Sequence, residues 1–563
     1  MQSTFTQLAR FKRAPGLKGP CENCGFCVVA AASGRRFLLF KDRRAKTIGA
    51  AATTAVVTQA LNRLAWRAFL LLLVSCATGW PARAQSSNTN PQAENKQSAA
   101  QTQPQDTSGA LLASQAQPGQ ASTAEAGADS PERATVAPTT DTTIFNHPTG
   151  RFWLSGQINF ISQANPSFPA AYSGANSFGP KGQIATSRVL TLYTGLELND
   201  STQVILDIES AGGHGLSNGA GLGGFTDLDI VRTPNLGQTP YLARFLVEKT
   251  FALGGGSVEN DRGYLSLPSS LPARRIEIWA GKFSTVDFFD VNPVGSDSHL
   301  QFMNWTVDNN GAYDYAANTR GYTWGAVAQF YDRNWAVRFG EAMMPKVANG
   351  ENLDADLARA HAENLELEYD PALFPRRATA LRFLSYANHA DMGNYRDAID
   401  GFLSGRDAKP DITLYRQQGR VKYGFGVNLY QELGDGVRLF GRWGWNDGRN
   451  ESFAYTEVDR TVSFGGDVAG SHWRRNLDKA GAAFVVNEIS GDHRRYLELG
   501  GDGFILGDGG LSYGFEQIAE TYYTAHVWRG VYASADLQHV ANPGYNRARG
   551  PALVGSLRLH VDF

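Results

Sequence analysis

Cysteine stops early in this 563-residue chain: Cys21, Cys24, Cys27 and Cys76 are all there are. Everything after Cys76 therefore folds without a disulfide or a thiolate metal site. Long apolar runs are missing too. No later segment reaches the roughly 18 consecutive apolar residues that a spanning helix needs. Aromatic residues are absent from 85–140, and methionine is absent between Met1 and Met303. Acidic residues are scarce at the front, where residues 1–84 hold 13 Lys+Arg against 2 Asp+Glu, leaving 39 basic and 52 acidic residues beyond. The near-neutral total of −2 hides an acidic body with a balance of −13. Such a body offers no basic footprint for nucleic acid.

Each of these absences bears on the first third of the chain. Residues 67–84, RAFLLLLVSCATGWPARA, place Arg67 before a short apolar core and end in the small-x-small site Ala82-Arg83-Ala84. That layout predicts a signal peptide over 61–84, cleaved after Ala84. Leu73-Val74-Ser75-Cys76 leaves lipoprotein processing at Cys76 as the competing reading. Residues 1–60 do not suit a signal peptide, and the layout favours a start near Val57 or Leu61. The Cys21, Cys24 and Cys27 spacing supplies three thiolates with no obvious fourth ligand, so no metal is assigned. Residues 85–144 are rich in Gln, Ala, Ser, Pro and Thr, cannot offset their ordering entropy by burial, and are expected to form a disordered periplasmic leader.

From about residue 150, within a barrel domain expected over 145–563, the pattern changes to period 2, the mark of strands with unlike faces. Phe152, Leu154, Ile158 and Phe160 alternate with Ser155, Gln157 and Asn159. The chain ends on LVGSLRLHVDF, in which Leu553, Leu557, Leu559, Val561 and Phe563 alternate with Ser556, Arg558, His560 and Asp562. Sixteen such segments lie near 151–162, 188–199, 203–210, 241–253, 275–283, 321–330, 335–344, 362–370, 378–387, 420–432, 437–446, 457–468, 480–489, 515–527, 531–541 and 552–563. Short links (199–202, 331–334, 434–436, 528–530) alternate with long ones (about 211–240, 284–320, 345–360, 388–419, 542–550). Short turns at one end and long loops at the other predict an all-β fold, a transmembrane antiparallel β-barrel of about sixteen strands, with eighteen the alternative even count. Trp153, Trp279, Trp335, Trp443, Trp445, Tyr522, Tyr523 and Trp528 fall near strand ends and are expected to form interfacial girdles.

A barrel of this size encloses water, so a diffusion pore leads. The ten histidines are scattered and no GxSxG nucleophile motif occurs, which argues against an enzyme. A plugged transporter would need about 22 strands and a plug domain. The Gly- and Asp-rich stretch 499–514 is one weak copy of a calcium-repeat pattern and reads as a loop.

Several stretches resemble the OprB-type carbohydrate-selective porins: SGQINFISQANPSFPAAYSGANSF (155–178), GKFSTVDFFDVNPVGSDSHLQFMNWTVDNNGAYDYAANTRGYTWG (281–325), KYGFGVNLYQEL (422–433), GWNDGRNESFAYTEVDR (444–460), GFILGDGGLSYGFEQIAETYY (503–523) and NPGYNRARGP (542–551). The resemblance covers 145–563 and implies a sixteen-stranded outer-membrane barrel of a Gram-negative-type bacterium passing small sugars such as glucose. It also implies that Leu557, Leu559, Val561 and Phe563 form the C-terminal signal read by the outer-membrane assembly machinery. A general or cation-leaning pore is the alternative, as are a surface-anchoring barrel and a barrel enzyme. No cofactor is expected. Partners are sugars and outer-membrane lipid, and the barrel is a monomer or a homotrimer.

A sugar pore needs aromatic faces for pyranose rings and polar groups that exchange hydrogen bonds with hydroxyls. The long segment 301–320 offers both, so Asn304, Trp305, Asp308, Asn309, Asn310, Tyr313, Asp314, Tyr315 and Arg320 are candidates for a constriction if that loop folds inward, and for the outer rim if it does not. Trp445, Asp447 and Arg449 form a second candidate group where a strand meets its loop, with an Asn-Asp-Gly surface turn as the competing reading.

Overall fold

The computed structural model describes residues 142–563 except 149, 230–235, 372 and 374–376. The expected signal peptide, its cleavage after Ala84, the 1–60 segment and all but the last three residues of the 85–144 leader lie outside the described residues. The strands are β1 (Phe152–Asn165), β2 (Gln183–Asn199), β3 (Thr202–Gly213), β4 (Tyr241–Ala252), β5 (Ser257–Glu259), β6 (Ser270–Pro272), β7 (Arg274–Phe283), β8 (Thr323–Asp332), β9 (Trp335–Met343), β10 (His361–Tyr369), β11 (Thr379–Met392), β12 (Gln417–Gly434), β13 (Val437–Asn446), β14 (Arg460–Ala469), β15 (Lys479–Glu488), β16 (Glu516–Trp528), β17 (Val531–Ala541) and β18 (Ala552–Asp562). All but β5 and β6, which pair as a separate hairpin, form one closed barrel of sixteen antiparallel strands, sealed where β1 pairs with β18. Closure leaves no backbone edge unpaired in lipid.

The polarity of this wall is inverted relative to a water-soluble protein. Leu192, Leu196, Leu365, Leu367, Leu537, Leu557 and Leu559 are exposed, whereas Asp207, Glu209, Arg244, Glu366, Arg442 and Arg558 are buried. Period 2 puts these two sets on opposite faces of the same strands. The terminal strand follows the expected pattern, with Leu553, Leu557 and Leu559 outside and Ser556, Arg558 and His560 inside. The aromatic girdle is only partly as expected. Trp335, Trp528 and Tyr523 are exposed on the outer wall, but Trp153, Trp279 and Tyr522 are buried, because their positions fall on the inward parity of their strands.

Two-residue turns close β2–β3, β8–β9, β12–β13 and β16–β17. Asp435 (φ 52°) and Gly436 (φ 76°) have the two positive φ values that a type I′ hairpin turn requires. Other links at this periplasmic end are longer than the short-turn pattern suggests. The 253–273 link carries the β5–β6 hairpin and tucks Tyr264, Leu265 and Leu267 against the inner wall, with Tyr264 stacked on Tyr193 at 4.4 Å.

At the seam, Phe563 exchanges backbone hydrogen bonds with Gly156 (2.8 and 2.9 Å). A Cβ on Gly156 would lie 2.5 Å from the Phe563 ring and 2.7 Å from the Thr191 carbonyl, so only glycine seats the terminal ring on the wall. We expect Gly156→Val to weaken the seam by about 1–3 kcal/mol. Its check is a lower temperature for loss of the compact, heat-modifiable band on gels.

Candidate functional site

The 284–322 segment, between β7 and β8, lies inside the barrel and is almost wholly buried. Inward side chains of the wall fasten it at many points. Arg244 of β4 donates through Nε and one Nη to both oxygens of Asp287 (2.8 and 2.7 Å) and faces Asp207 at 3.3 Å. Arg442 of β13 faces Asp290 at 2.9 Å and donates to the carbonyls of Gly295 (2.8 Å), Val307 (3.0 Å) and Asp290 (3.0 Å) and to the Ser296 hydroxyl (2.8 Å). Glu520 of β16 accepts from the Met303 and Asn304 amides (2.6 and 3.2 Å). Arg558 of β18 donates to the carbonyls of Ser298 and Gln301. Lys422 of β12 pairs with Asp314 at 3.4 Å.

The candidates from 301–320 are thus brought together, and their polar groups are engaged with protein. Asn304 caps the Trp305–Asp308 turn by accepting from the Thr306 amide. Trp305, only 2% exposed, stacks on Tyr455 (4.8 Å), lies near-parallel to Tyr315 (6.3 Å), which itself packs on Tyr455 (5.1 Å), and is edged by Phe225. Tyr313 donates to Asn364 (2.7 Å) and packs on Tyr386. Asn309 donates to Asp308 (3.1 Å), and Asn310 donates to the Trp443 carbonyl (3.2 Å). Asp314 accepts from the Phe453 and Ala454 amides (3.0 and 2.7 Å). Arg320 sits toward the outer mouth, 4.2 Å over the Tyr241 ring, and donates to the Leu236 carbonyl (2.7 Å).

The second group is not brought together in the pore. Trp445 is on the outward parity of β13 and stacks on Phe425 (6.0 Å) among lipid-side aromatics, because Arg442, Gly444 and Asn446 take the inward parity. Asp447 and Arg449 begin an outer loop, where Arg449 is exposed and its carbonyl accepts from the Tyr395 amide.

A cavity of about 310 Å³ lies between the start of the inner loop, the 253–273 link and the inner faces of β7–β11. Its wall carries a run of side chains that sequence reading had not singled out. Arg275 donates to Glu277 (2.6 Å), and Gln329 donates to Glu277 (3.2 Å). Arg338 donates to Gln329 (2.9 Å), Glu366 (3.0 Å) and Glu368 (2.8 Å), and Arg382 donates to Glu368 (2.7 Å). Register explains the run: Glu277 faces Gln329, Gln329 faces Arg338, Arg338 faces Glu366, and Glu368 faces Arg382 across successive strand pairs. Trp279 and Phe288, 5.4 Å apart, supply the apolar part of the same cavity. The visible signal was the charged alternate face of RRIEIW, AVRF, LELEYD and LRFL. Its height in the barrel required the register.

Outside the barrel, the outer loops knit together around His493. This residue lies on the helix Gly491–Glu498, stacks on Tyr395 at 4.4 Å, donates through Nδ1 to Asp459 (3.2 Å) and faces Glu457 at 3.6 Å. Burial opposes its protonation, but the hydrogen bonds and charges of Asp459 and Glu457 prevail and lift it to about 9. Asp459 is correspondingly held below its usual range, its burial outweighed by the bond from His493.

Two outcomes are expected. Arg442→Met strips one buried Asp290 carboxylate and several carbonyls of their donor, a loss of about 3–5 kcal/mol; the inner loop then loosens, and single-channel conductance rises and becomes noisier. For His493, a folded-state pKa raised above the ordinary 6.5 means stabilisation that is complete below 6.5 and lost as pH climbs through about 9. Intrinsic-rate-corrected amide exchange across 491–498 should therefore accelerate by roughly a hundredfold between pH 6 and pH 10, equivalent to about 3 kcal/mol, and His493→Asn should abolish that dependence.

Comparison with known proteins supplies the family. A model described as carbohydrate-selective porin, OprB family, matches residues 175–563. A high-pH structure of Pseudomonas putida OprB is similar at 18% identity, covering 73% of this chain and 94% of that one with a TM-score of 0.56. A low-pH structure of the same protein (13% identity, 73% and 92% covered, TM-score 0.40) and the outer membrane channel DcaP of Acinetobacter baumannii (9%, 73% and 97%, 0.40) also match. Curated protein sequences give no match. The family match spans well over half of the chain and falls on the closed barrel, so the protein belongs to the OprB family of carbohydrate-selective porins and is a sugar-selective channel of the bacterial outer membrane.

Proposed function

We propose that the channel passes small neutral sugars of glucose size, and that it recognises them in the cavity lined by Arg275, Glu277, Gln329, Arg338, Glu368 and Arg382. The observation that carries this reading is the balance of the ladder. Three guanidinium groups are matched by the carboxylates of Glu277, Glu366 and Glu368, so the ladder itself presents dense donors and acceptors with no net charge, on a cavity whose lining adds the carboxylates of Glu248, Asp261, Asp287, Asp370 and Glu432. A ring of one sign would concentrate counter-ions. A neutral ladder instead offers paired hydrogen bonds to hydroxyls that have shed water, while Trp279 and Phe288 provide faces for the sugar's C–H surface. Each hydrogen bond gained replaces one to water, so binding stays weak enough for release.

In this reading Asn304, Trp305, Asp308, Asn309, Asn310, Tyr313, Asp314 and Tyr315 set the width of the path by holding the inner loop, and contact with sugar falls to the ladder. Channel current in planar bilayers, titrated with glucose and maltose, tests it. Saturable block at millimolar sugar is expected. Arg382→Ala should raise the half-blocking glucose concentration by about tenfold, one good charge-assisted contact. Glu368→Gln, which leaves the ladder positive, should shift the reversal potential toward anion preference. Current indifferent to sugar in the unmodified protein would leave a general pore instead.

A further inference from the structure

The histidines are dispersed along the chain, but strand pairing brings two of them face to face. His361, the first residue of β10, is the register partner of His389 near the end of β11. Their rings stack 4.4 Å apart with an interplanar angle of 10°. Glu363 lies two residues after His361, on the same face of β10. His361 Nε2 is 3.2 Å from one Glu363 oxygen, and His389 Nε2 is 3.4 Å from the other. One ligand atom from each of the three residues lies within 4.8 Å of the others. The trio faces outward. The neighbours Ala362 and Asn364 are the buried, inward residues, whereas His361, Glu363 and His389 are all partly exposed. It sits at the outer-loop end of the wall, where β10 begins and β11 ends.

The geometry points to a divalent transition-metal site here, with zinc as the fitting ion and water in the fourth position. An ion bonded at about 2.0–2.1 Å to donors in a tetrahedral array separates them by about 3.3 Å. The two nitrogen-to-oxygen distances, 3.2 and 3.4 Å, straddle that value, each to its own oxygen of Glu363, so the carboxylate spans the two imidazole nitrogens and a turn of the stacked rings aims both at one ion. Two imidazoles and one carboxylate suit zinc, cobalt or nickel and not the all-oxygen preference of calcium or magnesium. The donors need no loop rearrangement, because paired strands fix all three. His361 Nδ1 is a buried atom without a hydrogen-bond partner among the described residues, and Glu363 Oε2 has only its 3.4 Å ion-pair contact with His389, so internal hydrogen bonds do not saturate the cluster. The trio faces away from the lumen and is separate from the sugar path.

The test uses the full-length protein extracted from outer membranes in detergent, stripped with EDTA and titrated with zinc chloride by equilibrium dialysis, with cobalt chloride as the optical probe. The unmodified protein should take up zinc saturably and give the visible band of tetrahedral cobalt, and excess magnesium should not compete. His361→Asn with His389→Asn should remove one equivalent of zinc and the cobalt band, and Glu363→Gln should weaken zinc binding by about tenfold or more. Heat-modifiable gel mobility and unchanged single-channel conductance confirm that each variant is folded. If the double variant does not fold, His389→Asn alone, at a partly exposed position, serves in its place. Zinc uptake identical in the folded variants, or no saturable uptake by the unmodified protein, overturns the assignment.

Discussion

The architecture depends on keeping buried charges in pairs across the lumen. Arg244 and Arg442 are fully buried cations, and each is matched by an aspartate of the inner loop, Asp287 and Asp290. An isolated ion at such a site would cost several kcal/mol. The pairs therefore do more than stabilise. They make the inward position of the 284–322 segment the state in which the wall's own charges are satisfied. Loop and barrel are each incomplete without the other: the loop lacks its partners outside the lumen, and if the loop leaves, Arg442 loses its carboxylate and Arg244 keeps only Asp207.

That constraint also shapes the remaining space. The aromatic packing of Trp305, Tyr315 and Tyr455 fills one side of the lumen, and the cavity survives where Phe288 and Trp279 meet the charged wall of β7–β11. Under the proposed function, selectivity for an uncharged solute rests on the paired groups of the ladder, not on the chain's overall charge. Three guanidinium groups match three carboxylates along the ladder, while Glu248, Asp261, Asp287, Asp370 and Glu432 leave the rest of the cavity lining acidic, like the body as a whole.

The period-2 pattern made the barrel legible because lipid and water impose opposite demands on alternate residues, and all sixteen segments read from it correspond to wall strands. The ends of those segments were less legible. β11 runs on to Met392 and β12 begins at Gln417, since hydrogen bonding continues past the lipid boundary, where the apolar signal fades. The composition of 301–320 marked a segment of unusual polarity but could not separate a side chain that meets solute from one that braces a loop. Both uses call for Asn, Asp, Tyr and Trp. The ladder was invisible for a different reason: its members come from five strands, and only the register sets them at one height.

The alternation that builds the wall also divides its labour. On β10, Glu366 and Glu368 enter the ladder through Arg338, while His361 and Glu363 stand on the opposite face with His389. A peptide plane separates the two faces, and no side chain crosses it. A change on the outer face therefore alters neither the charge balance nor the hydrogen bonding of the ladder, and a change in the ladder leaves the outer donors in place. Because this separation is geometric, the ladder and the outer donors can be altered independently within one nine-residue strand.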